Sequence, residues 1–253
     1  MKVVICNIRN EEYLLQWWLP QHKDKFDHGV FIDYHSTDRS RELIKDICPT
    51  WEIETSTQPE FEAFANDRQF MSIEHRVLEQ NPDAWVLGLN VTETLIGDTS
   101  VLDSIQGPTQ LFIPCSHMTD SPDNVGQPAD PSVPLHKQRT HGVEYKAYKN
   151  GMDSLYSRGC RIFHNHPIEY TLGRHYWEEN PYDKLAILWW GYSPYTPELL
   201  QRKLQIQDNI PQHNKDSRIG WEHVCDQPEL DRRLAHFQTL AVDLQDYIKR
   251  FEP

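Results

Sequence analysis

Along the first hundred residues, apolar and polar positions switch repeatedly between two periods. "KVVICNI" (2–8) is a continuous, β-branched apolar run, the pattern of a strand buried on both faces. "NEEYLLQWWLPQHKDKF" then repeats at helical spacing, with Leu14, Trp17 and Trp18 on one side and Pro20 placed to kink or end the helix. "GVFIDY" predicts a second strand, and "STDRSRELIKDI" a second helix opened by a Ser/Thr/Asp cluster suited to capping. "WEIETST" predicts a third strand. "EFEAFANDRQFMSIEHRVLEQN" predicts a long helix with Phe64, Phe70, Ile73 and Leu78 among its apolar positions, and "AWVLGLN" a fourth strand. Strands alternating with helices imply right-handed crossovers and a mostly parallel sheet.

After Asp98 the pattern changes. "LFIPCSHM" predicts a strand, residues 119–134 are rich in Pro, Asp and Ser and predict a loop, and residues 142–165 predict short strands ending in "SRGCRIFHNH". "TPELLQRKLQIQDN" predicts a helix capped by Thr196, with Pro197 in its first turn. At the end, Leu230, Leu234, Phe237, Ala241, Leu244 and Ile248 recur at alternating spacings of four and three, which predicts one amphipathic helix packed on the body. No repeat and no dividing linker is visible, so the expectation is one α/β domain over residues 1–253.

Composition narrows the classes. The chain has 253 residues, 38% of them hydrophobic and 11% aromatic, enough for a substantial core and against disorder. A net charge of -13 argues against a dominant nucleic-acid surface, and against docking on a bare anionic membrane. Five scattered cysteines without CxxC spacing suit free thiols in a reducing compartment. "MKVVICNI" is too short an apolar run for a signal peptide, and no stretch approaches the length of a membrane span. These features together predict a cytoplasmic protein, in which the "NVT" sequon at Asn90 carries no glycan.

Parallel α/β sheets bind ligands beyond the carboxyl ends of their strands, so the residues following each strand are the candidate chemistry. After the first strand come Asn7, Arg9, Asn10 and Glu11; after the second, Asp33, Ser36 and Asp38; after the fourth, Asn90, Val91, Thr92 and Glu93. The plain alternative is that loops are polar and helices need caps. In order and spacing, however, "NEEYLLQWWLPQH", "FIDYHSTDRSRELI" and "AWVLGLNVTETLIG" resemble the start of glycosyltransferase family 2-like proteins of the GT-A fold, in the nucleotide-diphospho-sugar transferase superfamily. The likeness spans about residues 3–98 and resumes at "FHNH" and "WGYSPYTPELLQRK".

The resemblance implies a Rossmann-like, mostly parallel sheet flanked by helices. It divides the chain into a nucleotide-sugar-binding half (1–98) and an acceptor-binding half (99–253). The implied activity is a glycosyltransferase of hexosyltransferase type, moving a sugar from a nucleotide-diphosphate donor to a glycan or other hydroxyl acceptor with inversion. Glu11 and Asp33 would lie near the nucleoside, where a carboxylate accepts hydrogen bonds from ribose hydroxyls or a base N–H. Arg9 and Arg68 are candidates for the diphosphate, with an exposed helix charge as the alternative for Arg68. In that family the fourth strand ends in Asp-x-Asp, whose carboxylates hold Mn²⁺ or Mg²⁺ on the donor. Here Asn90 and Thr92 stand at those positions, a degenerate motif that puts the metal in question.

Three solutions follow. Arg9, Arg68, Arg139 or Lys203 takes over the metal's charge; or Glu93, His164 and His166 build a reduced metal site, His-x-His placing both imidazoles on one strand face; or the protein binds nucleotide sugars or glycans without catalysis. An active enzyme needs a general base, for which Glu144, Asp153 and His164 are candidates. Asp120 and Asp123 fall in the Pro-rich loop, a candidate acceptor lid. Trp189, Trp190 and Tyr192 offer either a sugar-stacking platform or core. A nucleotidyltransferase is disfavoured by the lack of a glycine-rich phosphate loop.

Overall fold

The computed structural model describes residues 1–145, 159–220 and 223–252. Strand β1 (Lys2–Ile8) is its axis, because both neighbours run parallel to it. Its alternating side chains serve two different cores, as a period of two requires. Val4, Cys6 and Ile8 face helices α1 (Glu12–His22) and α2 (Ser40–Ile47) in a cluster with Leu14, Trp18 and Ile44. Val3 and Ile5 face the other way, toward Phe70, Ile73 and Val77 of α3 (Ala63–Gln80). The continuous apolar run in the sequence is thus one strand covered on both sides by helices. Strands β2 (His28–Asp33), β3 (Glu52–Thr55) and β4 (Trp85–Asn90) complete a parallel block in the order β3-β2-β1-β4.

α1 extends two residues past Pro20, so that proline marks its last turn rather than its end. The N-cap position of α2 is taken by Arg39, with no side-chain cap bond, and the acceptor comes from the residue just before it, Asp38. Its two carboxylate oxygens accept from the backbone N–H groups of Ser40 at 3.0 Å and of Glu12 at 2.9 Å, serving the starts of both α2 and α1.

Beyond β4 the chain turns into β5 (Glu93–Ile96) and then the ten-residue β6 (Gln110–Thr119). A short helix, α4 (Leu135–Gln138), follows the irregular 120–134 stretch and leads to β7 (His141–Val143). β8 (Cys160–His164) runs antiparallel between β4 and β6. β9 (Ala186–Tyr192) lies parallel to the second half of β6 and antiparallel to β5. One long strand therefore belongs to two sheet regions, and it brings β5 and β9 up beside the parallel block. The expected mostly parallel central sheet flanked by helices is present.

After β9 come α5 (Pro197–Leu204), α6 (Gln212–Asp216) and α7 (Gln227–Leu240). Thr196 caps α5 as its sequence predicts, its hydroxyl accepting from Leu199 N. The single C-terminal helix does not form. The chain leaves α7 at Ala241, pairs β10 (Val242–Asp243) with Gly142 and His141 of β7, and closes with α8 (Gln245–Lys249). Leu244 N donates to Thr140 O at 2.8 Å, and Leu244 and Ile248 stay buried as the apolar spacing requires. The pattern located the buried residues but not the break, because a sheet edge took the backbone donors. All five cysteines are free thiols. No described helix is long and apolar enough to cross a membrane.

His22, wholly buried in α1, makes the fold sensitive to pH. Its Nδ1 faces Trp18 O at 2.7 Å, while Nε2 accepts from Leu95 N at 3.0 Å, which leaves no place for a second proton. Burial lowers its pKa from the ordinary 6.5 to about 3. Between those values the unfolded chain binds a proton that the folded one refuses, so stability falls as pH drops through this window. We expect about 1 kcal/mol to be lost between pH 6.5 and 5.5 from this group. Urea titrations at the two pH values check it against a His22→Gln protein, which lacks that component. Equal slopes would remove His22 as the cause.

Candidate functional site

The carboxyl ends of β1 and β4 open into a cavity of about 450 Å³. Asn7 of β1 is in register with Asn90 of β4, so two amides stand side by side at the floor. Ile8 and Arg9 continue from one strand, Val91 and Thr92 from the other. Asn66 and Asp67 from the first turns of α3 form one wall, and the 172–175 turn, Trp189 and Gly191 form others. α5 and the segment after it close the site with Arg202, Lys203 and Gln205, and Arg218 lies beyond them.

The charge balance of this lining opposes that of the protein. Arg9, Arg174, Arg202, Lys203 and Arg218 face it, against only Glu11 and Asp67, in a chain of net charge -13. Low-dielectric walls concentrate such a field, which favours an anion over a cation there. Apolar Phe61, Leu172, Ile206, Ile210 and Ile219 line part of it, giving an aromatic and aliphatic surface next to the cations.

Glu11 is buried and held bidentately by Arg202, Oε2 to Nε at 2.5 Å and Oε1 to Nη2 at 2.6 Å. Burial raises its carboxyl pKa, and the Arg202 charge opposes that rise. Arg202→Leu removes the opposing charge. The folded state then holds the Glu11 proton more tightly still, so the variant loses stability more steeply than the native protein as pH rises above the ordinary 4.5. We expect the variant to match the native protein near pH 4 and trail it by roughly 2–3 kcal/mol at pH 7, measured by urea unfolding. A pH-independent deficit would mean that lost packing, not charge, is responsible.

Of the residues the sequence pointed to, Asn7, Arg9, Glu11, Asn90 and Thr92 meet in the cavity. Asn10, Asp33, Ser36, Asp38 and Arg68 do not line it. The Ser36 hydroxyl accepts from Asn10 N, the Asn10 amide oxygen accepts from Thr37 N, and Asp33 accepts from Ser36 N and from Arg41 Nη1. These polar groups, with Asp38, tie the loops after β1 and β2 to each other. Arg68 is exposed on α3.

The candidate metal residues are spread apart. The Glu93 side chain is fully buried and paired with Arg161 at 2.7 and 3.0 Å, and it accepts from Asn90 N at 2.9 Å. His164 sits beside Val86, near the start of β4 and the opposite edge of the sheet from the cavity. Its Nε2 lies 2.7 Å from the Tyr170 hydroxyl, which donates to Glu74 Oε2 at 2.5 Å. His166 lies past the end of β8, where strand alternation no longer aligns it with His164. Among the described residues no three His, Cys, Asp or Glu side chains gather as ligands of one cation. With Asn90 and Thr92 neutral and Glu93 turned to Arg161, the donor set does not fit a hard divalent cation at this turn.

The base candidates are displaced as well. Glu144 is exposed and bonded by Arg250 Nη2 at 3.2 Å, and Asp153 lies outside the described residues. Asp120 is buried and accepts from Ser193 Oγ, Tyr195 N and Arg139 Nε, which also removes Arg139 from the cavity; Asp123 is exposed. Of the aromatic trio, Trp189 reaches the lining. Trp190 is buried with its Nε1 on Thr94 Oγ1, and Tyr192 packs on Phe237 and under Lys203 Nζ. Gly191 is required beside Trp189, because a Cβ there would stand 2.0 Å from its ring.

The sequence reading missed Arg174, Arg202 and Arg218. Glu11 and Arg202 are 191 residues apart, and no local pattern announces such a pairing. No family model matches the chain, and no curated protein matches it in sequence. Among solved structures, the crystal structure of S. aureus TarS 1–349 is similar with a TM-score of 0.32 and 13% identity. That match covers 51% of this chain and 38% of the TarS chain, a partial likeness that assigns no family.

Proposed function

We propose that the cavity takes a nucleotide-diphosphate sugar and that the protein is a glycosyltransferase acting on a glycan or other hydroxyl acceptor. One observation carries this reading: five cationic side chains converge on a pocket at the carboxyl ends of β1 and β4 in an otherwise acidic chain. The volume suits a ligand of this size. The cations suit a diphosphate, and the apolar part of the lining suits a base or the apolar face of a sugar. Residues 1–98 supply the strand ends of the donor site, and the later half supplies Trp189, Arg202 and Lys203.

In the transfer step the acceptor oxygen bonds to the anomeric carbon as the bond from that carbon to the diphosphate breaks. The acceptor proton passes to a base, and the electron pair leaves on the phosphate oxygen. Attack opposite the leaving group inverts the anomeric centre. The arginines and Lys203 stabilise the negative charge that grows on the diphosphate, a task that fixed cations perform without reorganising.

A second reading, a nucleotide-sugar or glycan-binding protein without turnover, has an observation of its own. Both lining carboxylates are engaged, Glu11 by Arg202 and Asp67 by Gly173 N at 3.1 Å. Release of free sugar or transfer product from a bound donor separates the two.

A thermal-shift and calorimetry panel of UDP, GDP, dTDP and CDP, with EDTA or with Mn²⁺ or Mg²⁺, tests the donor site. The expected result is that one diphosphate raises the melting temperature equally in EDTA and in metal. Binding that needs a cation would overturn the charge assignment. Absence of binding across the panel would remove the donor site.

A further inference from the structure

We infer that Arg174 is the fixed cation that receives the donor diphosphate, held in place by the buried Glu93–Arg161 pair. This deepens the donor-site reading above and rests on it. Arg174 is 5% exposed, yet it lines the cavity. Its guanidinium stacks 3.9 Å from the centre of the Phe70 ring. Among the described residues its Nε and Nη1 have no hydrogen-bond partner; Asp67 Oδ1 forms an ion pair with Nη1 at 3.8 Å, which offsets charge but is beyond hydrogen-bond reach. A buried guanidinium with open donors is costly unless an anion meets it. Asn7, also on the lining, is 7% exposed, and both polar atoms of its amide also have no hydrogen-bond partner among the described residues. A forked cation and an open amide on the same lining match the oxygens of a phosphate group.

What places Arg174 there is a strained turn. Gly173 and Arg174 both have positive φ, 78° and 57°, a conformation that costs a residue with a side chain about 1 kcal/mol or more. Arg161 Nη1 holds the turn by donating to both Gly173 O and Arg174 O at 2.8 Å. The other side of the Arg161 fork is fixed by Glu93, whose Oε2 also accepts from Asn90 N. One carboxylate thus organises the Asn90–Glu93 turn and, through Arg161, the turn that carries Arg174. Glu93 follows the positions where the resembling family keeps metal-binding acids. It acts here as a positioning residue, delivering a guanidinium to the cavity.

The test is calorimetry in EDTA with inorganic pyrophosphate and with the four nucleoside diphosphates, on the native protein and on variants confirmed as folded by their melting curves. Native protein is expected to bind pyrophosphate, and Arg174→Gln to bind it at least about tenfold more weakly. Arg174→Lys keeps the buried charge without the fork and should lie between the two, which keeps the question answerable if the glutamine variant fails to fold. Glu93→Gln should weaken pyrophosphate binding with Arg174 still present, and Glu93→Asp should restore it. Arg68→Gln, on the exposed side of α3, should change nothing. Unaltered affinity in both Arg174 variants overturns the inference, as does native protein that binds no pyrophosphate. Arg174-dependent binding of pyrophosphate without binding of any nucleoside diphosphate would support the anion site and sink the nucleotide reading instead.

Discussion

Glu93→Ala is expected to lower the unfolding free energy by about 3–5 kcal/mol, the range for breaking a buried ion pair from one side. Burial decides the magnitude. An exposed pair contributes at most about 1 kcal/mol, but the Glu93 and Arg161 side chains are 0% and 2% exposed. Removing the carboxylate takes away the anion that pairs with this interior guanidinium and the acceptor of Asn90 N, while the two carbonyls of the 173–174 turn stay in place. Urea unfolding at neutral pH measures the loss. Replacing both partners, as Glu93→Leu with Arg161→Met, should cost less than the two single losses added together, since no charge is then stranded. A single-variant loss under about 1 kcal/mol would mean that water reaches the pair and that its burial has been misjudged.

Trp18→Ala is expected to cost about 4–6 kcal/mol, combining a large cavity with a lost hydrogen bond. Trp18 is 1% exposed, stacks on His22 at 4.0 Å between ring centres, and meets Phe31 and Trp51 edge-on. Its Nε1 donates to Glu93 O at 2.8 Å, which fastens α1 to the start of β5. Trp18→Phe keeps most of the volume and loses the donor, so it should cost only about 1–3 kcal/mol. The difference between the two variants in urea unfolding separates packing from hydrogen bonding. Equal losses would show that the carbonyl contact outweighs the cavity. The acceptor is a backbone oxygen, so Glu93→Ala leaves the Trp18 bond in place.

Much of the first half was legible because the signals there are local. A β-branched run, a helix period and a capping cluster each depend on neighbours within a few residues, and β1 through β4 follow them. The rule that ligands sit beyond strand ends brought Asn7, Arg9, Glu11, Asn90 and Thr92 to the cavity. The same locality explains the misses. Asn10, Ser36 and Asp38 are polar residues that follow strands, yet loops need those groups to satisfy their own backbone. His164 and His166 fit a ligand spacing, but β8 runs antiparallel to β4 and carries them to the far edge.

The sequence by itself determined the alternation of strands and helices, the double burial of β1, the cap on α5 and the edge of the sheet where polar residues collect. Those depend on periodicity and on the few residues that can start or stop an element. Only the tertiary structure decided which charges neutralise one another and which face the cavity. Glu93 found Arg161 at a separation of 68 residues, Glu11 found Arg202 at 191, and Arg174 was left with open donors. Coulomb attraction depends on distance in space and on the medium between the charges, and neither quantity is written along the chain.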